Sequence, residues 1–353
     1  VKLSPALLDP VFVPRIWGAK TLAPLFPGAG VTPSTSEIPI GEVWLTGDAC
    51  RVTSGDYAGR TLGEAWRAMP AEWAGRRLDT RSPFPLLAKF LFPEDKLSVQ
   101  VHPGDDYARE HEADAGGVGK TEMWYAISAR TGAEIFVGLR PGVTRQTLLR
   151  AIEEGTAEEC LSRIRIAAGD AVFVPAGTAH TIGPGLVLFE IQENSDLTYR
   201  IFDYNRRNPD GTPRALHVEK ALEVLDFGEQ RGGKVTPVRT ADGCCEITHF
   251  AACRYFALEK WQSVSAREFE SDPERFELLI VIGGAGRLAW DGGASDYGVA
   301  QAWVVPAALG SWRIEPSART TLLRAFVPDL KRYAEQLKAR GVPALDVEQI
   351  IRP

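Results

Sequence analysis

Four side chains of metal-ligand type stand at spacings that a β-structure can converge. They are Gln100 and His102 in the stretch LSVQVHP (97–103), Glu122 in KTEMWYAI (120–127), and His180 after the turn VPAGTA (174–179). Gln100 and His102 are two residues apart, and in a strand such residues point to the same face. One carboxamide oxygen, two imidazoles and one carboxylate suit a borderline divalent ion such as zinc, with positions left for water or substrate. Three neutral donors and one carboxylate leave about one unit of positive charge on a divalent ion, enough to polarise a carbonyl and stabilise an oxyanion beside it. A buried histidine taken alone is more often a packed residue with satisfied hydrogen bonds, so the grouping carries the reading. His111, His217 and His249 lack partners of this kind and read as surface or packing residues.

The elements that must position these groups are mostly strands. The chain of 353 residues, with 44% hydrophobic and 24% charged residues, has the make-up of a globular protein large enough for two domains. Glycine (34) and proline (24) make about one residue in six a turn-former. They separate short runs rich in valine, isoleucine, phenylalanine and tryptophan, a pattern that favours an all-β architecture. Strands are expected at 86–92, 97–101, 163–166, 171–174, 186–191 and 198–202, and a second set at 245–261, 276–281, 287–290, 302–305 and 318–327. Thr61 followed three residues later by Glu64 is a capping-box pattern and opens a helical stretch at 65–69, before Pro70. Leu148, Leu149 and Ile152 at helical period predict a small helical insertion at about 144–162, with Gly155 as a stop. A further helix is expected at 215–224. Leu330, Tyr333 and Leu337 on one face, ahead of Gly341, predict an end helix. The charged, glycine- and proline-dotted segment 205–240 holds the domain boundary, giving an N-terminal domain of 1–225 and a C-terminal domain of 226–353.

A net charge of −6 and a pI near 5.6 give no electrostatic reason to expect a nucleic-acid or anionic-membrane partner. No apolar run approaches the roughly 18 residues of a membrane span. The five cysteines lack framework spacing, and the start VKLSP lacks the features of a secretory leader, so a reducing, cytoplasmic compartment is expected.

The run from Gly169 through Pro175 to His180 has the form G-x5-P-x4-H and resembles the second motif of the cupins, small jelly-roll barrels whose histidine binds metal. Two departures from the usual first cupin motif, Gln100 in place of a histidine and about twenty residues between His102 and Glu122, resemble the type I phosphomannose isomerases. Further landmarks agree in order over roughly 10–210: Trp17 with Gly18, Lys89 with the two residues after it, 97–103, 119–124, 177–180, and 190–204 around the core SDLTYR (195–200). The resemblance implies a mainly β protein of two cupin barrels. It also implies one Zn2+ per chain held by Gln100, His102, Glu122 and His180.

In the second set of strands, Val304, Val305 and Pro306 resemble Phe173, Val174 and Pro175, but Ser311 stands five residues past the proline, where the first set has His180. Only the first barrel is therefore expected to bind metal, which leaves the second as a structural or homodimer-forming domain.

The activity implied by the resemblance is interconversion of mannose 6-phosphate and fructose 6-phosphate through an enediolate. That reaction needs a base and a proton relay, for which Lys89, Lys120, Glu190 and Arg200 are the candidates, similar residues being found in the family's cavity. Arg200 suits charge stabilisation, since guanidinium stays protonated and binds oxyanions through a fork. Between Lys120 and Glu190 as proton carrier the residues do not choose. Ser98 and Arg206 stand where the family places hydroxyl and basic groups for a substrate phosphate. Two other readings fit the same cavity: a cupin dioxygenase using a metal such as iron, and a non-catalytic sugar-binding bicupin.

Overall fold

The computed structural model describes residues 3–26, 39–208, 210–228 and 231–352. Antiparallel strands build two barrels. The first pairs a seven-stranded with a five-stranded sheet, the second an eight-stranded with a four-stranded sheet. The centre of the seven-stranded sheet is strand Leu186–Glu193, flanked by Leu86–Leu91 and Glu122–Ala129. Leu86–Leu91 is buried at every position, so it reads as one apolar run interrupted only by Lys89. This strand is covered on both faces.

One face looks into the first barrel; the other packs against the second. The shared core joins Phe90, Phe189, Tyr125 and Phe173 to Phe250, Phe256, Phe276 and Leu278. Ring pairs cross it at 5.3 Å (Tyr125 and Phe250) and 5.0 Å (Phe84 and Phe276). A continuous apolar interface of this kind fixes the two barrels relative to each other.

Segments cross the boundary expected at 225/226. Strand Ala6–Asp9 pairs with Ala302–Val305, Ala6 opposite Val304, and so lies in the second barrel's larger sheet. In return Gly233–Lys234 pairs with Ala171–Val174 at the edge of the first barrel's sheet. Each short strand covers an edge whose N–H and C=O groups would otherwise stand unpaired.

The helices form where local signals ask for them. Thr61 and Glu64 bond each other's backbone N–H groups, and the helix runs over Leu62–Ala68, three residues earlier than expected because the cap itself sets the start. The insertion contains helix Arg145–Glu153 and a 3-10 turn Ala157–Cys160, with Leu148 buried. Val218–Val224 is helical. The end helix Leu330–Ala339 buries Tyr333 and Leu337, and Ala344–Ile350 adds a further short helix.

The interiors of the two barrels differ. In the second, Trp261, Phe269 and Trp312 stack with centroids 4.3 and 4.8 Å apart and fill the space. Ser311 opens strand Ser311–Pro316 much as His180 opens His180–Ile182, and its hydroxyl donates to Glu268. In the first barrel the corresponding interior is a polar cavity.

Candidate metal centre and its cavity

The four ligand-type residues meet in the first barrel, drawn from both sheets. Gln100 lies on Val99–Val101 and is directly opposite His180 on the neighbouring strand; His102 follows at that strand's end. Glu122 opens strand Glu122–Ala129 of the facing sheet. His102 Nε2 is 3.4 Å from Glu122 Oε2, and His180 Nε2 is 3.4 Å from Glu122 Oε1. All three side chains are buried.

The imidazoles are oriented from behind. His102 Nδ1–H donates to the Leu197 carbonyl at 2.7 Å, and His180 Nδ1–H to the Thr178 carbonyl at 2.9 Å. A carbonyl can only accept, so each ring carries its proton on Nδ1 and turns a lone pair on Nε2 toward Glu122. Burial, reinforced by Lys120, pushes His102 down to about 3, and burial moves His180 the same way, so both stay neutral. Burial alone would raise Glu122; the neighbouring Lys120 outweighs it and holds the carboxyl ionised. His102 Nε2 and both Glu122 oxygens are buried without a hydrogen-bond partner. Three orphaned acceptors converging at one point, with their outer atoms already satisfied, fit a bound cation. Gln100 closes the remaining side: its amide nitrogen is 3.2 Å from His180 Nε2, and a half-turn of the amide presents the oxygen instead.

Above this group opens a cavity of about 370 Å3, within the range of small-molecule sites. Ser98, Gln100, Lys89, Lys120, Glu190 and Arg200, all singled out from the sequence, line it. Lys89 Nζ stands 3.2 Å from Glu190 and 3.8 Å from Glu42. Burial works against its charge, but these two carboxylates hold Lys89 protonated. Glu190 accepts from Trp124 Nε1 at 3.0 Å, and burial raises its carboxyl against the pull of Lys89. Lys120 Nζ is 3.5 Å from Glu122 Oε2. Arg200 donates through Nη1 to the Ala215 carbonyl at 2.9 Å, while its Nε is buried without a partner.

Arg206, expected to meet a substrate phosphate, is not among the residues that line this cavity. Tyr204 and Asn205 adopt φ of 53° and 57°, a left-handed turn that carries the chain away from the strand of Arg200. The Arg206 guanidinium is instead engaged by Asp203 at 2.5 Å, the Lys96 carbonyl at 2.5 Å and Asp95 at 3.4 Å. The wall gains Arg15, Glu42, Asp196 and Arg214, which sequence reasoning missed. Glu42 did carry a signal, an acid inside the apolar strand Ile40–Trp44. Arg214 lies in a charged loop and carried none; Asp203 holds it at 2.9 Å.

Comparison with known proteins follows the same line. A model of the phosphomannose isomerase type I catalytic domain matches residues 7–136. Mannose-6-phosphate isomerase ManA of Bacillus subtilis is 36% identical over 321 residues, covering 88% of this chain and 96% of the relative. Mannose-6-phosphate isomerase of Streptococcus mutans is 35% identical over 319 residues, covering 88% and 95%. The crystal structure of the mannose 6-phosphate isomerase from Bacillus subtilis superposes with a TM-score of 0.81 at 32% identity, covering 92% of this chain and 99% of that one.

Proposed function

The chain belongs to the type I phosphomannose isomerases, and from that premise we propose that it interconverts mannose 6-phosphate and fructose 6-phosphate in the first barrel, with one zinc ion held by Gln100, His102, Glu122 and His180. The observation that carries this reading is the convergence of three buried, unpartnered acceptor atoms, on His102 and Glu122, at the floor of a cavity walled by cations. Two nitrogens, a carboxylate and an amide oxygen are a donor set that zinc accepts while keeping an open position. When bound, the ion supplies positive charge that polarises the sugar carbonyl and stabilises the enediolate beside it.

The remaining chemistry belongs to the chain's own groups. A proton must leave one carbon next to the carbonyl and return to its neighbour. Glu190, whose burial favours the protonated form, and Lys120, beside Glu122, are the groups placed to hold and move it. Lys89 is a fixed cation between two carboxylates and compensates their charge. Arg200 forms no ion pair among the described residues, so its guanidinium is free to meet an anionic oxygen of the substrate. Five cationic side chains, Arg15, Lys89, Lys120, Arg200 and Arg214, share the wall with three carboxylates, which suits a dianionic phosphate. Ser98 adds a hydroxyl at the same wall. The five cysteines are unpaired, which supports a reducing, cytoplasmic setting.

The test is interconversion of the two hexose phosphates before and after chelation, followed in deuterated water. The expected result is about one divalent metal per chain, activity lost on chelation and restored by zinc, and exchange of the substrate C2 hydrogen with solvent. Turnover that survives complete metal removal refutes the reading.

A further inference from the structure

We infer that the second barrel contributes a positioning element to the metal site of the first: the turn at Arg254 and Tyr255, acting through Asp105 on the segment that carries Lys120 and Glu122. The inference rests on the reading of the site given above. The turn joins strands Cys245–Ala252 and Ala257–Ser263 and reaches across the interface between the barrels. Tyr255 Oη donates to Asp105 Oδ2 at 2.8 Å, and Arg254 Nη2 donates to the same oxygen at 2.6 Å. The other Asp105 oxygen accepts the Gly119 N–H at 3.1 Å.

Around that bond the chain is in backbone contact. A Cβ built on Gly119 would lie 2.6 Å from the Asp105 nitrogen and 2.8 Å from the Gly104 carbonyl carbon, so glycine is what allows the approach. The Lys120 N–H donates to the Pro103 carbonyl at 3.0 Å. The Thr121 N–H donates to Glu193 Oε1 at 2.7 Å, and the Glu193 carboxyl lies beside Asp105. Each N–H of residues 119–121 is thus held by Asp105, by the chain just ahead of it, or by its acidic neighbour. Glu122 is the next residue, and His102 stands three before Asp105. One carboxylate therefore ties two ligand-bearing segments to a turn of the other barrel. Donor groups must be kept within about 0.5 Å of their working geometry, and here the entry to the Glu122 strand is a loop that needs external support.

Stability and positioning are separated by reading zinc affinity and kcat beside the thermal midpoint. Asp105→Asn keeps an oxygen for the Gly119 N–H but removes the charge that Arg254 and Tyr255 seek; Tyr255→Phe keeps the ring and removes the hydroxyl. The full-length parent, both variants and the double variant are compared in affinity for Zn2+ alone by chelator competition, in kcat and KM for mannose 6-phosphate, and in thermal midpoint. Each single change is expected to weaken zinc binding about tenfold, as loss of a bond behind a ligand does. It should lower kcat while leaving KM near parental, because Ser98, Arg200 and Arg214 sit on other elements. The double variant is expected to be no worse than Asp105→Asn, since both changes cut one path. A shifted thermal midpoint with parental zinc affinity and kcat, or strictly additive losses, overturns the positioning role. A parent that binds no zinc overturns the reading of the site itself and this inference with it.

Discussion

Glu122→Gln tests the metal centre most directly. The substitution keeps the size of the side chain and one oxygen, and it removes the single negative charge among the four donors. Before any metal binds, Glu122 is the one ion-pair partner of Lys120 among the described residues, at 3.5 Å with both side chains buried. At an effective dielectric of roughly 20, two unit charges at that separation attract by about 5 kcal/mol. Local relaxation and water entry around the stranded group recover part of this, so the metal-free variant should be less stable than the metal-free parent by about 3 kcal/mol, the lower end for breaking a buried pair. Zinc affinity should fall by at least about 100-fold, since even groups one bond behind a ligand cost up to that much. Both quantities come from denaturant unfolding of chelated protein, repeated with excess zinc, in which the parent gains stability by mass action and the variant gains less by about 2.7 kcal/mol or more. Parental zinc affinity in Glu122→Gln would refute the ligand assignment, and equal stability of the two metal-free proteins would refute the buried pairing with Lys120.

Arg200→Ala should keep its zinc and lose about 100-fold in kcat, the scale of removing one group that meets developing charge; loss of metal from this variant would count against the role given to Arg200. Lys89→Met leaves Glu190 and Glu42 facing each other in a buried site and should lower stability by about 3 kcal/mol, with partial recovery in the Lys89→Met and Glu190→Gln double variant. An unfolding midpoint equal to that of the parent would show that Lys89 is not holding those carboxylates. Glu193 is pushed up to about 8, first by burial and then by Asp105. Its folded value exceeds its unfolded value of about 4.3, so the folded protein binds the extra proton between them, and this contribution is full below about 4.3 and lost as pH rises through about 8. Glu193→Gln, which is uncharged throughout and keeps an oxygen for the Thr121 N–H, should flatten the dependence; urea midpoints at about pH 5.5 and 8.5 that shift as much as in the parent would rule this out.

The donor set was legible because its members sit inside strands of strong pattern. Gln100 and His102 share a face by the period of two, and His180 follows a turn whose residues read plainly. Ser98, Lys89 and Lys120 were singled out through the family resemblance, whereas Glu190 and Arg200 also carry a local signal, each being polar within an apolar strand. The capping box at Thr61 was likewise local and was realised with its own backbone partners. Arg206 stands apart from the cavity wall because two left-handed residues between it and Arg200 break the strand's phase, and no residue type at Tyr204 announces such a turn. Arg15, beside Pro14 in strand Val11–Ala19, and Arg214, in a loop, were missed because a lone charged residue beside a turn-former looks the same whether it faces solvent or a cavity.

The amino-acid sequence by itself determined the strand-rich class and the cap at Thr61, and it marked four residues of ligand type, since periodicity, capping and donor chemistry are properties of neighbouring residues. Which strands pair, and therefore what meets across the barrel, was decided only in three dimensions. Ala6–Asp9 completes the sheet of the far barrel, and Asp105 meets a turn roughly 150 residues away, at Arg254 and Tyr255. A short strand carries no record of its partner in its own residues; edge coverage, the shared apolar interface and the close approach at Gly119 select it once the whole chain has packed.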